Sequence, residues 1–148
     1  FYFMQEVAAR LPEGARLLAE GHRDHLRCPE LHTAELGYAT GRSWQRLEIS
    51  EEAFEQPGVG APPVFFGELV DSKKAGQRTF LYYFGMRGSD WDYRRRTWLH
   101  DHLQMRIVAG IALPTAGGIC FTLYEVVGLS EQGQAWLRAF PGSGGGRS

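Results

Sequence analysis

Between Gly21 and His32 the sequence GHRDHLRCPELH sets His22, His25, Cys28 and His32 within one short segment. Imidazole nitrogens and thiolate sulfurs are zinc ligands, and a structural zinc needs roughly four of them converging tetrahedrally. His22 and His25, three apart on a helix, could chelate from one face while Cys28 and His32 closed the set. Recognised zinc frameworks, however, join two ligand pairs across a longer loop, and Pro29 breaks a helix in the middle of this segment. The simpler reading is a polar helix end whose His25 and Arg27 face water or the helix C-terminus. No metal is expected.

Three other groups could do chemistry. His100-Asp101-His102 would present both imidazoles on one face of a strand, as metal ligands or as an acid and base, but a helix makes them diverge. Arg94-Arg95-Arg96, with Trp91, Tyr93 and Trp98 around it and Arg87 before it, could grip phosphates while the rings stack on bases. Asp90, Asp92 and Asp101 in the same stretch cancel three charges, so a solvated helix face with arginine packed on tryptophan is the plainer reading. Glu68 lies in the apolar run VFFGELV, where burial would raise its pKa toward general-acid use. Gly58-Val59-Gly60 lacks the rest of a dinucleotide fingerprint and precedes its strand instead of following it. No cofactor is implied.

The composition narrows the class. A chain of 148 residues suits one domain with a real core. Cys28 and Cys120 are far apart and fit no disulfide framework, which points to free thiols in a reducing, cytoplasmic setting. A formal charge of -1 supplies no global attraction to nucleic acid or anionic lipid. No apolar run reaches the roughly 18 residues of a membrane span, and the opening FYFM lacks the basic leader of a signal peptide. The folded unit is expected over 1–140, with Pro141–Ser148 as a Gly/Ser tail.

These residues must be positioned by elements that the punctuation suggests. Residues 3–27 have helical spacing through Val7, Leu11, Leu18 and Leu26, interrupted by Pro12-Glu13-Gly14, which predicts two short helices. Residues 36–49 read as a hairpin about Thr40-Gly41, and Ser50-Glu51-Glu52 as the start of a short helix. VFFGELV (64–70), the polar DSKKAGQ and RTFLYYFGM (78–86) predict an antiparallel hairpin. Both faces of its second strand are apolar, as in a central strand with helices on one side and a core or a ligand cavity on the other. Ser89 and Asp92 make a capping box for a helix over about 90–103. Strands are expected over 106–113 and 119–127, then a helix capped by Ser130 that turns Ala135, Leu137 and Phe140 toward the sheet. The sum is an α+β domain: a central antiparallel sheet of about five or six strands, N- and C-terminal helices, and one inserted helix.

The segment DHLQMRIVAGIALPTAGGICFTLYEVVGLSEQGQAWLRAF, residues 101–140, resembles the closing portion of GAF or PAS-type sensory domains of bacterial regulators. That resemblance implies a three-layer sensory fold, often dimeric through its terminal helices, with a pocket between the sheet and the inserted helix. The chain is thus expected to be a cytoplasmic, homodimeric regulatory domain. Its partner would be a small organic ligand held by Tyr83, Trp98, His102, Tyr124 and Glu68. Two other readings stand beside it: a small α+β enzyme using Glu68 or His102 as acid and base, and a single-stranded nucleic-acid module using Arg94–Arg96.

Overall fold

The computed structural model describes residues 2–21, 36–86, 90–113 and 119–140. The His22, His25, Cys28 and His32 segment and the Gly/Ser tail lie outside these residues. The class is α+β: among the described residues five strands form one mixed sheet, with six helices packed about it.

Helix α1 (Tyr2–Arg10) stops ahead of Pro12, and Gly14, at φ 77°, turns the chain. The next element is strand β1 (Arg16–Gly21), not the expected second helix. The seven-residue interval from Leu11 to Leu18 imitates helical spacing. Leu17, Leu18 and Ala19 are all buried, however, and consecutive buried residues suit a strand covered on both faces. The hairpin expected over 36–49 is also absent. Residues 36–40 are helical (α2), and Thr40 Oγ1 donates to the Leu36 carbonyl while accepting from Trp44 Nε1 at 2.9 Å. Strand β2 (Gln45–Arg46) then runs parallel to β1.

Helix α3 (Glu51–Glu55) begins as expected, with Ser50 Oγ accepting from the Ala53 amide at 3.1 Å. The largest correction comes next, because VFFGELV is not a strand. It opens helix α4 (Val64–Lys74), which starts behind Pro63 and turns Phe65, Phe66, Leu69 and Ser72 inward. The polar DSKK taken for a turn is the helix's last turn, where Lys73 and Lys74 suit the negative end of the dipole.

Strand β3 (Thr79–Met86) is central, pairing in parallel with β1 and antiparallel with the last strand. Helix α5 (Asp90–His102), strands β4 (Leu103–Leu113) and β5 (Ile119–Leu129), and helix α6 (Glu131–Ala139) complete the chain. Ser130 caps α6 through the Gly133 amide, but the anchor of this helix is Trp136; Ala135 points outward.

The strand order is β2-β1-β3-β5-β4. One face packs Leu17, Ala19, Phe80, Tyr82 and Leu123 against Val7 of α1, Leu36 of α2 and Trp44. The other packs Leu18, Leu81, Tyr83 and Tyr124 against Phe66, Trp98 and Trp136 from α4, α5 and α6. Among the described residues no helix is long and apolar enough to cross a membrane.

Candidate ligand-binding site

Four of the five expected lining residues lie close to one another, but as packed core. Tyr83, Trp98, His102 and Tyr124 are each at most 5% exposed, so they offer almost no surface to a guest. The His102 ring sits 4.3 Å from Trp98 and 5.4 Å from Trp136, and Phe66 stands within 6.2 Å of all three rings. His102 Nδ1 meets the Trp98 carbonyl at 2.7 Å, one helical turn back. The space expected between sheet and inserted helix is occupied, at these residues, by the chain's own rings.

Glu68 is elsewhere, on the exposed side of α4, where Arg16 donates to it. The apolar strand that was to raise its pKa does not exist, and a general-acid role for it loses its basis. His100 is exposed and meets the edge of Tyr124, while His102 is buried, so the two histidines diverge. The three arginines are committed to carboxylates: Arg94 to Glu55, Arg95 to Glu20 and Arg96 to Asp92. A nucleic-acid grip at this point would have to break those pairs. Among the described residues no three His, Cys, Asp or Glu side chains come together as a metal set.

The polar chemistry of the interior gathers instead at the carboxyl ends of β1 and β3. From β1 the chain passes to β2 by way of α2, which packs on one face of the sheet; from β3 it enters α5, which packs on the other. The residues that directly follow both strands, 22–35 and 87–89, lie outside the described residues. In open α/β sheets the carboxyl ends of neighbouring parallel strands whose connections go to opposite faces are the usual ligand position.

Glu20, next to the end of β1, is 4% exposed and accepts from Arg95 Nε at 2.5 Å; Arg95 is equally buried. The Arg95 guanidinium lies over Phe54 and Trp91, at 4.9 and 5.4 Å from the ring centres. Asp92, in the first turn of α5, accepts from the Tyr83 hydroxyl at 2.7 Å and from Arg96 Nε at 2.9 Å. Burial first, and then the Asp92 carboxylate, push the Tyr83 phenol far above its ordinary pKa of 10.0. Gly85 makes this approach feasible, since a Cβ there would stand 2.6 Å from Asp92 Oδ1 and 2.8 Å from Tyr83 Cε2. Arg96 reaches over the Tyr83 ring toward Cys120 Sγ, 3.7 Å away.

Desolvating two charges costs several kcal/mol per ion in real proteins, and their attraction repays this only with good geometry. The Glu20–Arg95 pair bears that cost on both sides, whereas in the Asp92–Arg96 pair beside it only Asp92 is fully buried. Sequence reasoning placed Arg95 and Arg96 on a solvated face and left Glu20 unremarked. The signal available was weak: Glu20 stands at the end of a buried apolar run, and Asp92 reads both as a cap and as one of three aspartates that offset the arginines, neither of which implies burial.

A concavity opens at the other end of β1, between α4 and the β1/β2 edge. It measures about 500 Å³, and an adjoining hollow of about 390 Å³ shares Arg16, Gln45 and Glu68 with it.

No protein-family model, curated protein or solved structure matches this chain.

Proposed function

We propose that the chain is a small-molecule-binding sensory domain whose ligand enters at the carboxyl ends of β1 and β3. The observation that carries this reading is the convergence of the buried Glu20–Arg95 pair and the half-buried Asp92–Arg96 pair at the carboxyl ends of those two strands. A polar ligand would arrive at Arg96, the member of the cluster whose side chain is 29% exposed, and compete with Asp92 for it. Glu20, Arg95 and Asp92, as buried as the aromatic core, would respond through that exchange, and their fixed orientation lowers the ordering cost of binding.

A route for the signal supports the sensory part. Helix α5 carries Asp92, Arg95 and Arg96 in its first half and ends at His102, whose carbonyl accepts from the Ser130 amide at 3.0 Å at the entrance to α6. A ligand that re-pairs the arginines would displace α5 and, through it, α6. The reading places the domain in a reducing cytoplasm, where the buried Cys120 stays a free thiol, and as the homodimer that the sensory resemblance implies.

The test is a thermal-shift screen of small organic acids, nucleobases, sugars and amines. Any stabilising compound is then followed by amide NMR, and the same samples are sedimented to read the oligomeric state. A ligand at 100 times its Kd should stabilise the domain by about 2.7 kcal/mol. The amide shifts should centre on Glu20, Gly85 and Asp92 and extend to Gly133. Failure of every compound to stabilise, or shifts confined to other parts of the sheet, would overturn the reading.

A further inference from the structure

The concavity between α4 and β1 stands apart from the carboxyl-end cluster, since Arg16 opens β1 and Glu20 nearly closes it. We infer that it is a second binding site, for the zwitterionic head of an α-amino acid with an apolar side chain. Glu68 and Asp71 are three apart on α4 and Ser72 is four on from Glu68, so all three stand on one helix flank, and all three line the concavity. Arg16 and Gln45 face them from the sheet.

Arg16 donates through Nη2 to Glu68 Oε1, and the side chains are 15% and 51% exposed. A guanidinium carries five N–H donors, so Arg16 retains capacity for a ligand carboxylate. Two carboxylates against one guanidinium leave the pocket one negative charge in excess, which an ammonium group would meet. The opposite charges of the pocket touch each other. A ligand that matches both must likewise hold its ammonium and carboxylate close together, and an α-amino acid separates them by a single carbon.

The adjoining hollow supplies the place for a side chain. Its walls include the buried Leu18, Leu47 and Phe65 and the 75% exposed Val64; Arg46 and Glu48, which also line it, cancel each other's charge and leave the excess at one negative. The volumes fall within the range of about 300–1,000 Å³ typical of small-molecule sites. Little opposes entry on the Glu68 side, whose half-exposed carboxylate can turn to the ligand ammonium while Arg16 stays held against the sheet.

The test uses the full chain and three probes: L-leucine, N-acetyl-L-leucine and L-leucinamide, titrated by calorimetry. L-Leucine should bind, and each analogue lacking one charge should bind at least tenfold more weakly. Glu68→Gln should weaken L-leucine at least fivefold and shrink its advantage over N-acetyl-L-leucine. Arg16→Gln should shrink its advantage over L-leucinamide. Glu68 is exposed on a helix, so its variant should keep the wild-type circular dichroism and melting curve. Absence of L-leucine binding, equal binding of the three probes, or affinity unchanged in a folded Glu68→Gln protein would each overturn the inference.

Discussion

At Tyr83 burial and the Asp92 carboxylate act in the same direction, both favouring the protonated phenol. The consequence for stability has a definite sign. As the pH rises through 10.0, the phenol's ordinary value, the unfolded chain loses this proton and the folded chain keeps it, so stability falls. The urea midpoint should therefore drop above that pH. Tyr83→Phe should make the drop shallower without removing it, since burial also raises Tyr124. At neutral pH the same variant should lose about 1.5–3 kcal/mol, the worth of a hydrogen bond to a charged group. Glu125 behaves in the opposite sense. Hydrogen bonds from Arg78, then from Arg106, hold its carboxyl down from 4.5 to about 2. The stabilisation is present above the ordinary value and lost as the pH falls from there toward about 2. Acid titration of Glu125→Gln by tryptophan fluorescence should show a flatter loss of stability across that interval.

Among the elements, the junction of α5 and α6 depends on Gly133, where a Cβ would stand 2.4 Å from the His102 carbonyl oxygen. That atom is backbone and cannot swing away. Gly133→Ala should push α6 off α5, loosen Trp136, and cost about 1–3 kcal/mol as overpacking does, read by urea unfolding and a red-shifted tryptophan emission. The glycine itself was not singled out from the sequence, whereas the helix around it was. The starts of α3 and α6 were legible because a serine hydroxyl at each meets an amide three residues on, a purely local requirement. Strand β3 was legible because Phe80, Tyr82, Leu81 and Tyr83 are apolar on both faces. Helix α4 was not, because a seven-residue apolar run fits either period. Its helical nature shows in Phe65, Phe66 and Leu69 turning inward while Val64, Glu68 and Asp71 turn out, a pattern that needs the neighbouring elements to be seen. The charged cluster was illegible for a stronger reason. Glu20 and Arg95 are 75 residues apart, and no local rule announces such a pairing.

For the whole molecule, β3 is the member common to both cores. Phe80 and Tyr82 belong to the cluster under α1 and α2, while Leu81 and Tyr83 belong to the cluster under α4, α5 and α6. Neither cluster can dissolve without exposing a side of the same strand. Unfolding in urea should thus be a single transition, with far-ultraviolet circular dichroism and tryptophan fluorescence changing together. Two separated midpoints would show that the faces melt independently. Phe66, which contacts Phe65, Trp98, His102 and Trp136, should still unfold in one step when changed to alanine, at a cost of about 3–5 kcal/mol.

The order of the strands also bears on how the protein is made. Strand β5 sits between β3 and β4 yet leaves the ribosome after both of them. Until it arrives, the nascent chain holds β3, with its run of Phe, Leu and Tyr, beside an unfilled slot, and a bare apolar edge of that kind invites pairing with other chains. Synthesis of this domain therefore passes through a stage that favours chaperone capture, which ends when the final hairpin closes the sheet.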